Sequence, residues 1–219
     1  MQYDRHDTPL YRLLLSARSR KYPKGQLISA FGDDSIHLIK AGYIQRYLIT
    51  KEGSKGIQVI YGPSDIFPLT PVYKSSFNMD VYSGPEDYYY ESITEAQVFS
   101  MSQEQLAEAL RDDPSIYKDL FFAAGLRLNS YIHRLESMST GSARRKIVHQ
   151  LAYLAGTFGK QTPEGTVIEL PLTHQRLAEI LNLARETVTN ELAVLTKKEL
   201  IQGSKTILVP DIQKLLGEL

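Results

Sequence analysis

The chain has no cysteine. Disulfides, thiolate zinc sites and Cys-ligated iron–sulfur clusters are therefore excluded, which fits a reducing cytoplasm. It has no apolar run approaching ~18 residues, the length that suggests a membrane-crossing helix, and no charged-then-apolar signal at its start. The expectation is a soluble, cytoplasmic protein with no membrane partner. Net charge is also missing, with 25 Lys and Arg against 25 Asp and Glu. Residues 1–137 hold 15 basic and 17 acidic side chains; residues 138–219 hold 10 and 8. That small C-terminal excess permits a local basic face and decides nothing by itself. The five histidines, His6, His37, His133, His149 and His174, are scattered along the chain. No haem, no cupin-type metal site and no other cofactor is expected from them.

What is present begins with strands. From about residue 20 to 101, short runs rich in Ile, Val, Tyr and Thr alternate with turn signals. The runs are "IHLIK", "GYIQRYLIT", "GIQVIY" and "YYYESITEAQVFSM"; the turns are "PKG", "GDD", "EGSKG", "GPSD" and "SGPED". Strands at roughly ten-residue spacing predict a sandwich or barrel. His37 is expected to be an ordinary strand residue, and the tyrosines at 88–90 either pack or offer hydroxyls to a ligand.

At "SQEQLAEAL" the period changes. Ser102 is placed to cap a short helix, with Gln105 completing a capping box. A longer helix follows Asp113-Pro114. Along it, Tyr117, Phe121, Ala124, Leu128, Tyr131, Leu135 and Met138 are spaced 4, 3, 4, 3, 4, 3. A 3.5-residue apolar period over three heptads predicts a helix that pairs with its own copy, rather than a stripe packed on the strand domain. Phe122, Leu126 and Ile132 lie off this seam and are expected against the strands.

Small residues in "MSTGSAR" mark a hinge. Domains are expected at 1–113, 114–138 and 139–219. In the last of these, "ARRKIVHQLAYLAGTFG" reads as a helix with Ile147, Leu151 and Leu154 inward, and "TVIELPL" as a strand ending at Pro171. Thr173 caps "HQRLAEIL"; Asn182 occupies a turn needing a left-handed residue; "LIQGSKTILV" is a hairpin turning at Gly203-Ser204, and "DIQKLLGEL" closes the chain. Helix, short turn, helix and hairpin form the winged helix-turn-helix pattern.

Its second helix, in "LARETVTNEL", gathers Arg185, Glu186, Thr189 and Asn190 on one arc and Val188, Leu192 and Leu195 on another. Such a helix offers its first turns to the major groove of double-stranded DNA. There Arg185 can fork onto guanine, Glu186 can accept from cytosine N4, Asn190 can pair with adenine, and Thr189 can adapt or meet a thymine methyl.

The stretch "LTHQRLAEILNLARETVTNELAVLTKKELI" resembles the C-terminal helix-turn-helix of the CRP/FNR family of bacterial transcription regulators, with "RETV" matching its recognition core. "YPKGQLI", "HLIKAGYIQRYLITKEG" and "GPSDIFP" are similar to the strand-and-turn signatures of that family's N-terminal β-roll. The resemblance implies an α+β chain: a double-stranded β-helix (jelly-roll, cupin-like β-roll) as sensor, a dimerisation helix at 114–138, and a winged-helix reader. It also implies a homodimer on an inverted-repeat operator, with RNA polymerase as a partner if the protein activates. By position, Thr173, His174, Gln175, Thr187, Ser204 and Lys205 would hold phosphates. Arg144, Arg145 and Lys146 read as a solvated helix end within distant reach of a phosphate.

Two departures qualify the likeness. The family often has Arg where Asn190 stands. Cyclic-nucleotide-binding members carry an Arg-Ser/Thr pair where this chain has Glu86 and Asp87, and two carboxylates would repel a cyclic phosphate. An effector other than cyclic AMP is therefore expected. The competing readings are a cupin-like enzyme with an appended helical domain, and a constitutive DNA binder whose β-roll senses nothing.

Overall fold

The computed structural model describes residues 7–30, 34–51, 53–72, 88–139, 141–203 and 205–219, residues 29 and 30 by their backbone alone. They fall into two compact units, residues 1–54 with 58–128 and residues 55–57 with 129–219. One helix, Ile116–Ser139, carries the chain from the first to the second.

The first unit begins with α1 (Pro9–Leu15), for which the sequence offered no expectation. Thr8 caps it by accepting from the Tyr11 amide, and Pro9 at its first position needs no hydrogen-bond partner. Among the described residues eight strands follow: β1 (Arg18–Tyr22), β2 (Leu27–Ala30), β3 (Ser35–Ala41), β4 (Ile44–Ile49), β5 (Lys55–Tyr61), β6 (Ile66–Phe67), β7 (Tyr88–Ser92) and β8 (Ala96–Ser102). They form two four-stranded sheets, ordered β1-β8-β3-β6 and β2-β7-β4-β5. This is the β-roll.

The run "YYYESITEAQVFSM" is two strands, not one. Ser92 and Ile93 are both buried, which breaks the in–out alternation of a single strand. The chain turns there against the β3–β4 turn, where the Ile93 amide donates to the Tyr43 carbonyl (2.7 Å). Gly42 is required at that contact. Its φ is +86°, and a Cβ would lie 2.2 Å from the Glu95 carbonyl oxygen.

Ser102 caps α2 (Gln103–Asp112), and the reciprocal Ser102–Gln105 box is present. The helix Ile116–Ser139 is α3. One apolar cluster joins Leu10 and Leu14 of α1, Ile36 and Leu38 of β3, Leu106 and Leu110 of α2, and Ile116 and Leu120 of α3. Asp119 is buried beside this cluster and accepts from the Leu10 amide at 2.9 Å, satisfying a free donor in the first turn of α1. A second group of rings fills the space between the sheets. Phe67 lies 5.1 Å from His37, 5.0 Å from Tyr61 and 4.8 Å from Tyr90, centroid to centroid. His37 is a buried strand residue, its Nδ1 2.8 Å from Ser100 Oγ.

The second unit contains α4 (Ala143–Phe158), β9 (Gly159–Thr162), β10 (Gly165–Ile168), α5 (His174–Leu181), α6 (Arg185–Lys197), β11 (Ile207–Val209) and α7 (Ile212–Leu216). Its sheet runs β11-β10-β9. The expected strand "TVIELPL" stops at Ile168, short of Pro171, which has no amide hydrogen for a ladder. The Leu172 amide donates instead to the Lys205 carbonyl (3.0 Å). Strand β9 escaped the sequence reading. The expected hairpin around Gly203 is reduced to an isolated bridge, Gln202 with Leu208.

A candidate nucleic-acid interface

Three local features set the angle between α5 and α6. Thr173 caps α5 by accepting from the Arg176 amide. Asn182 ends α5 in the left-handed region, φ 51° and ψ 52°, as its short polar side chain permits. The Leu183 amide then returns to the Ala178 carbonyl at 3.0 Å. Behind the turn, Leu177, Ala178, Leu181, Val188, Leu192 and Leu195 are buried, with Ile147 and Leu151 of α4 also inside. This core leaves one face of α6 to solvent.

On that face Arg185, Glu186, Thr189 and Asn190 are all exposed, and together with Ala184 they line a single open hollow. The four residues picked from the sequence thus sit side by side. Thr173, Gln175 and Lys205 are exposed too, whereas His174 and Thr187 are half-buried. Ser204 lies outside the described residues, as do Glu86 and Asp87.

Side-chain contacts constrain several of these groups. His174 Nδ1 lies 2.9 Å from Thr189 Oγ1, and the Thr189 hydroxyl donates to the Arg185 carbonyl at 2.9 Å. Gln175 Nε2 donates to Glu179 Oε1 (2.9 Å). Arg144 Nε meets Glu191 Oε2 at 2.8 Å, and that carboxylate raises the guanidinium pKa further. Within the same unit, Arg134 Nη1 donates to the carbonyls of Ile180, at the end of α5, and Ile57. Burial lowers the pKa of Arg134. Arg134 carries no local signal in the sequence, because its acceptors are backbone oxygens 46 and 77 residues away.

On α3 the seam residues Tyr117, Phe121, Leu128, Leu135 and Met138 are exposed, Phe121 by 82%. Ala124 and Tyr131 are half-buried. Phe122 and Leu126 are half-buried off the seam, but Ile132, expected against the strands, is 43% exposed. The helix buries a different stripe, Ile116, Asp119 and Leu120.

Among the described residues no His, Asp and Glu side chains gather in a group able to hold a metal, and no helix is long and apolar enough to cross a membrane. Residues 145–217 match the Crp-like helix-turn-helix domain family. That stretch, about a third of the chain, carries a Crp-like helix-turn-helix. Over 197 residues the chain is 25% identical to the CRP-like cAMP-activated global transcriptional regulator of Mycobacterium tuberculosis, covering 89% of this chain and 84% of that one. It is 23% identical to the global nitrogen regulator of Synechococcus elongatus, over 85% of this chain and 82% of that one. Among solved structures it resembles a CooA variant from Carboxydothermus hydrogenoformans, with a TM-score of 0.74 and 19% identity, over 94% of this chain and 89% of that one. The curated relatives are transcription regulators, which favours a DNA-binding regulator over the cupin-like enzyme.

Proposed function

We propose that this chain is a regulator of the CRP/FNR type that works in the cytoplasm as a homodimer and reads an inverted-repeat operator. The observation that carries the reading is the exposed arc of α6, with its apolar side locked beneath it. Arg185 and Glu186 read the bases nearest the helix start, and Thr189 and Asn190 the next turn. Thr173, His174, Gln175, Thr187, Ser204 and Lys205 hold phosphates and set the register. The α3 seam pairs two copies, and RNA polymerase is the further partner of an activating member. Selection of bound duplexes from a random pool, with and without cell extract, tests this. An inverted repeat with half-sites about 34 Å apart is the expected result, and unspaced or asymmetric sites overturn it.

The effector is a molecule other than cyclic AMP. The Mycobacterium tuberculosis relative is named as cAMP-activated, but Glu86 and Asp87 stand here where cyclic-nucleotide binders carry a cation and a hydroxyl. Calorimetry should find no micromolar cyclic AMP binding. A second reading, a constitutive binder, draws on the packing of the roll interior. Tyr61, Phe67, Tyr88 and Tyr90 are all buried there against one another. Operator binding by purified protein that is unchanged by cell extract would favour it.

A further inference from the structure

The contact between α5 and α6 at the edge of the reading face brings His174 Nδ1 and the Arg185 carbonyl to one hydroxyl oxygen, that of Thr189. A threonine hydroxyl has one hydrogen. Thr189 spends it on the Arg185 carbonyl, which can only accept. The 2.9 Å approach of His174 Nδ1 to the same oxygen is therefore a hydrogen bond only if the ring nitrogen donates. In a neutral imidazole with Nδ1–H, Nε2 is a lone pair. A lone pair repels a phosphate oxygen, whereas the imidazolium Nε2–H binds it as a charge-assisted donor.

We propose that His174 grips the DNA backbone only as an imidazolium, held in place by Thr189, so that operator binding takes up one proton per His174. This rests on the DNA-contact reading above and adds its chemistry. The proton comes from solvent, adds to Nε2, and leaves the Nδ1–H···Thr189 and Thr189···Arg185 hydrogen bonds intact. Thr189 is then a positioning residue whose methyl, not its hydroxyl, is left to meet a base.

The charged groups on the elements packed around His174 can be named. Arg185 and Glu186 open α6, offering one charge of each sign. On α5, Glu179 is held by Gln175, and Arg176 Nη1 donates to the Pro171 carbonyl (2.6 Å). On the wing, Lys205 lies beside the segment that starts α5, its carbonyl taken by Leu172. Between α4 and α6, Arg144 and Glu191 satisfy one another. None of these supplies Nε2 with a dedicated carboxylate among the described contacts, so a phosphate is its natural counter-charge.

Three measurements test the proposal. In the free full-length protein at about pH 8, ring nitrogen NMR should show His174 as the Nδ1–H tautomer, and the Nε2–H tautomer overturns the proposal without touching the DNA reading. In the complex with a duplex recovered by selection, calorimetry in buffers of different ionisation enthalpy should show proton uptake that His174→Gln abolishes. At constant ionic strength the affinity should fall on the order of tenfold per half-site between pH 6 and pH 8, less steeply in His174→Gln, whose amide donates at any pH. Thr189→Val frees Nδ1 from its acceptor, allows the neutral Nε2–H tautomer to donate, and should also reduce the uptake. Tight binding with the same uptake in wild type and His174→Gln overturns this proposal alone. Failure to bind any duplex overturns it together with the reading beneath it.

Discussion

Arg144 at the start of α4 and Glu191 in the middle of α6 form an ion pair 2.8 Å long, 47 residues apart in sequence. Glu191 follows directly after Asn190, so the pair braces the back of the reading helix. It also occupies a cation that the sequence alone would leave free for phosphate. Arg144→Ala should leave the salt dependence of DNA binding nearly unchanged, whereas Lys205→Ala should lower the slope by about one and weaken all sequences alike. Titrations over a salt series measure both, and equal slope losses would return Arg144 to the phosphate contacts.

Asn190 should set the base preference of the second turn. Asn pairs best with adenine N6 and N7, while Arg at the same place reaches guanine O6 and N7. Binding matrices for wild type and Asn190→Arg on one operator library should differ at one symmetric position, by a contact worth ~1–3 kcal/mol. Arg185→Ala should relax a different position. Coincident matrices would remove Asn190 from the reading arc.

The seam of α3 should be a dimer contact. Leu128 is 61% and Leu135 63% exposed, far more than apolar side chains at the same phase would be if packed on their own chain. A Leu128→Glu Leu135→Glu protein should sediment as a monomer and lose specific DNA binding while keeping its helical circular dichroism. A dimer that survives both charges would place the interface elsewhere.

Alkaline pH should weaken the β-roll. Burial, then the nearby Glu91, pushes Tyr47 up to about 12, and burial pushes Tyr90 well above the ordinary tyrosine value. Both groups hold their protons more tightly folded than unfolded. The stability they confer is complete below about pH 10, the unfolded value, and is lost as pH rises through the folded values. Denaturant midpoints should fall from pH 9 to pH 11, and fall less in Tyr47→Phe. A wild-type midpoint that holds constant over that range would count against the burial of these phenols.

Features that depend on a few adjacent residues were legible in the sequence. The Ser102–Gln105 box, the Thr173 cap and the left-handed Asn182 each follow from local backbone chemistry, and each is present. So was the α6 arc, because a 3.6-residue period separates its faces unambiguously. Features depending on distant partners were hidden. The break at Ser92–Ile93 is set by the turn at Gly42–Tyr43, and β10 ends where Leu172 finds Lys205 rather than a strand. The two bonds that meet at Thr189 Oγ1 needed coordinates, since the sequence showed Thr189 only as a polar residue on an exposed arc.

The bare apolar seam has a consequence for dosage. If two chains must meet along α3 before two reading helices can engage two half-sites, the active species forms by a second-order encounter. Where monomer is in excess, dimer concentration rises with the square of chain concentration. A doubling of synthesis would then raise operator occupancy about fourfold at the foot of the curve. Promoter output would respond to copy number as a threshold rather than in proportion, before any small molecule is involved.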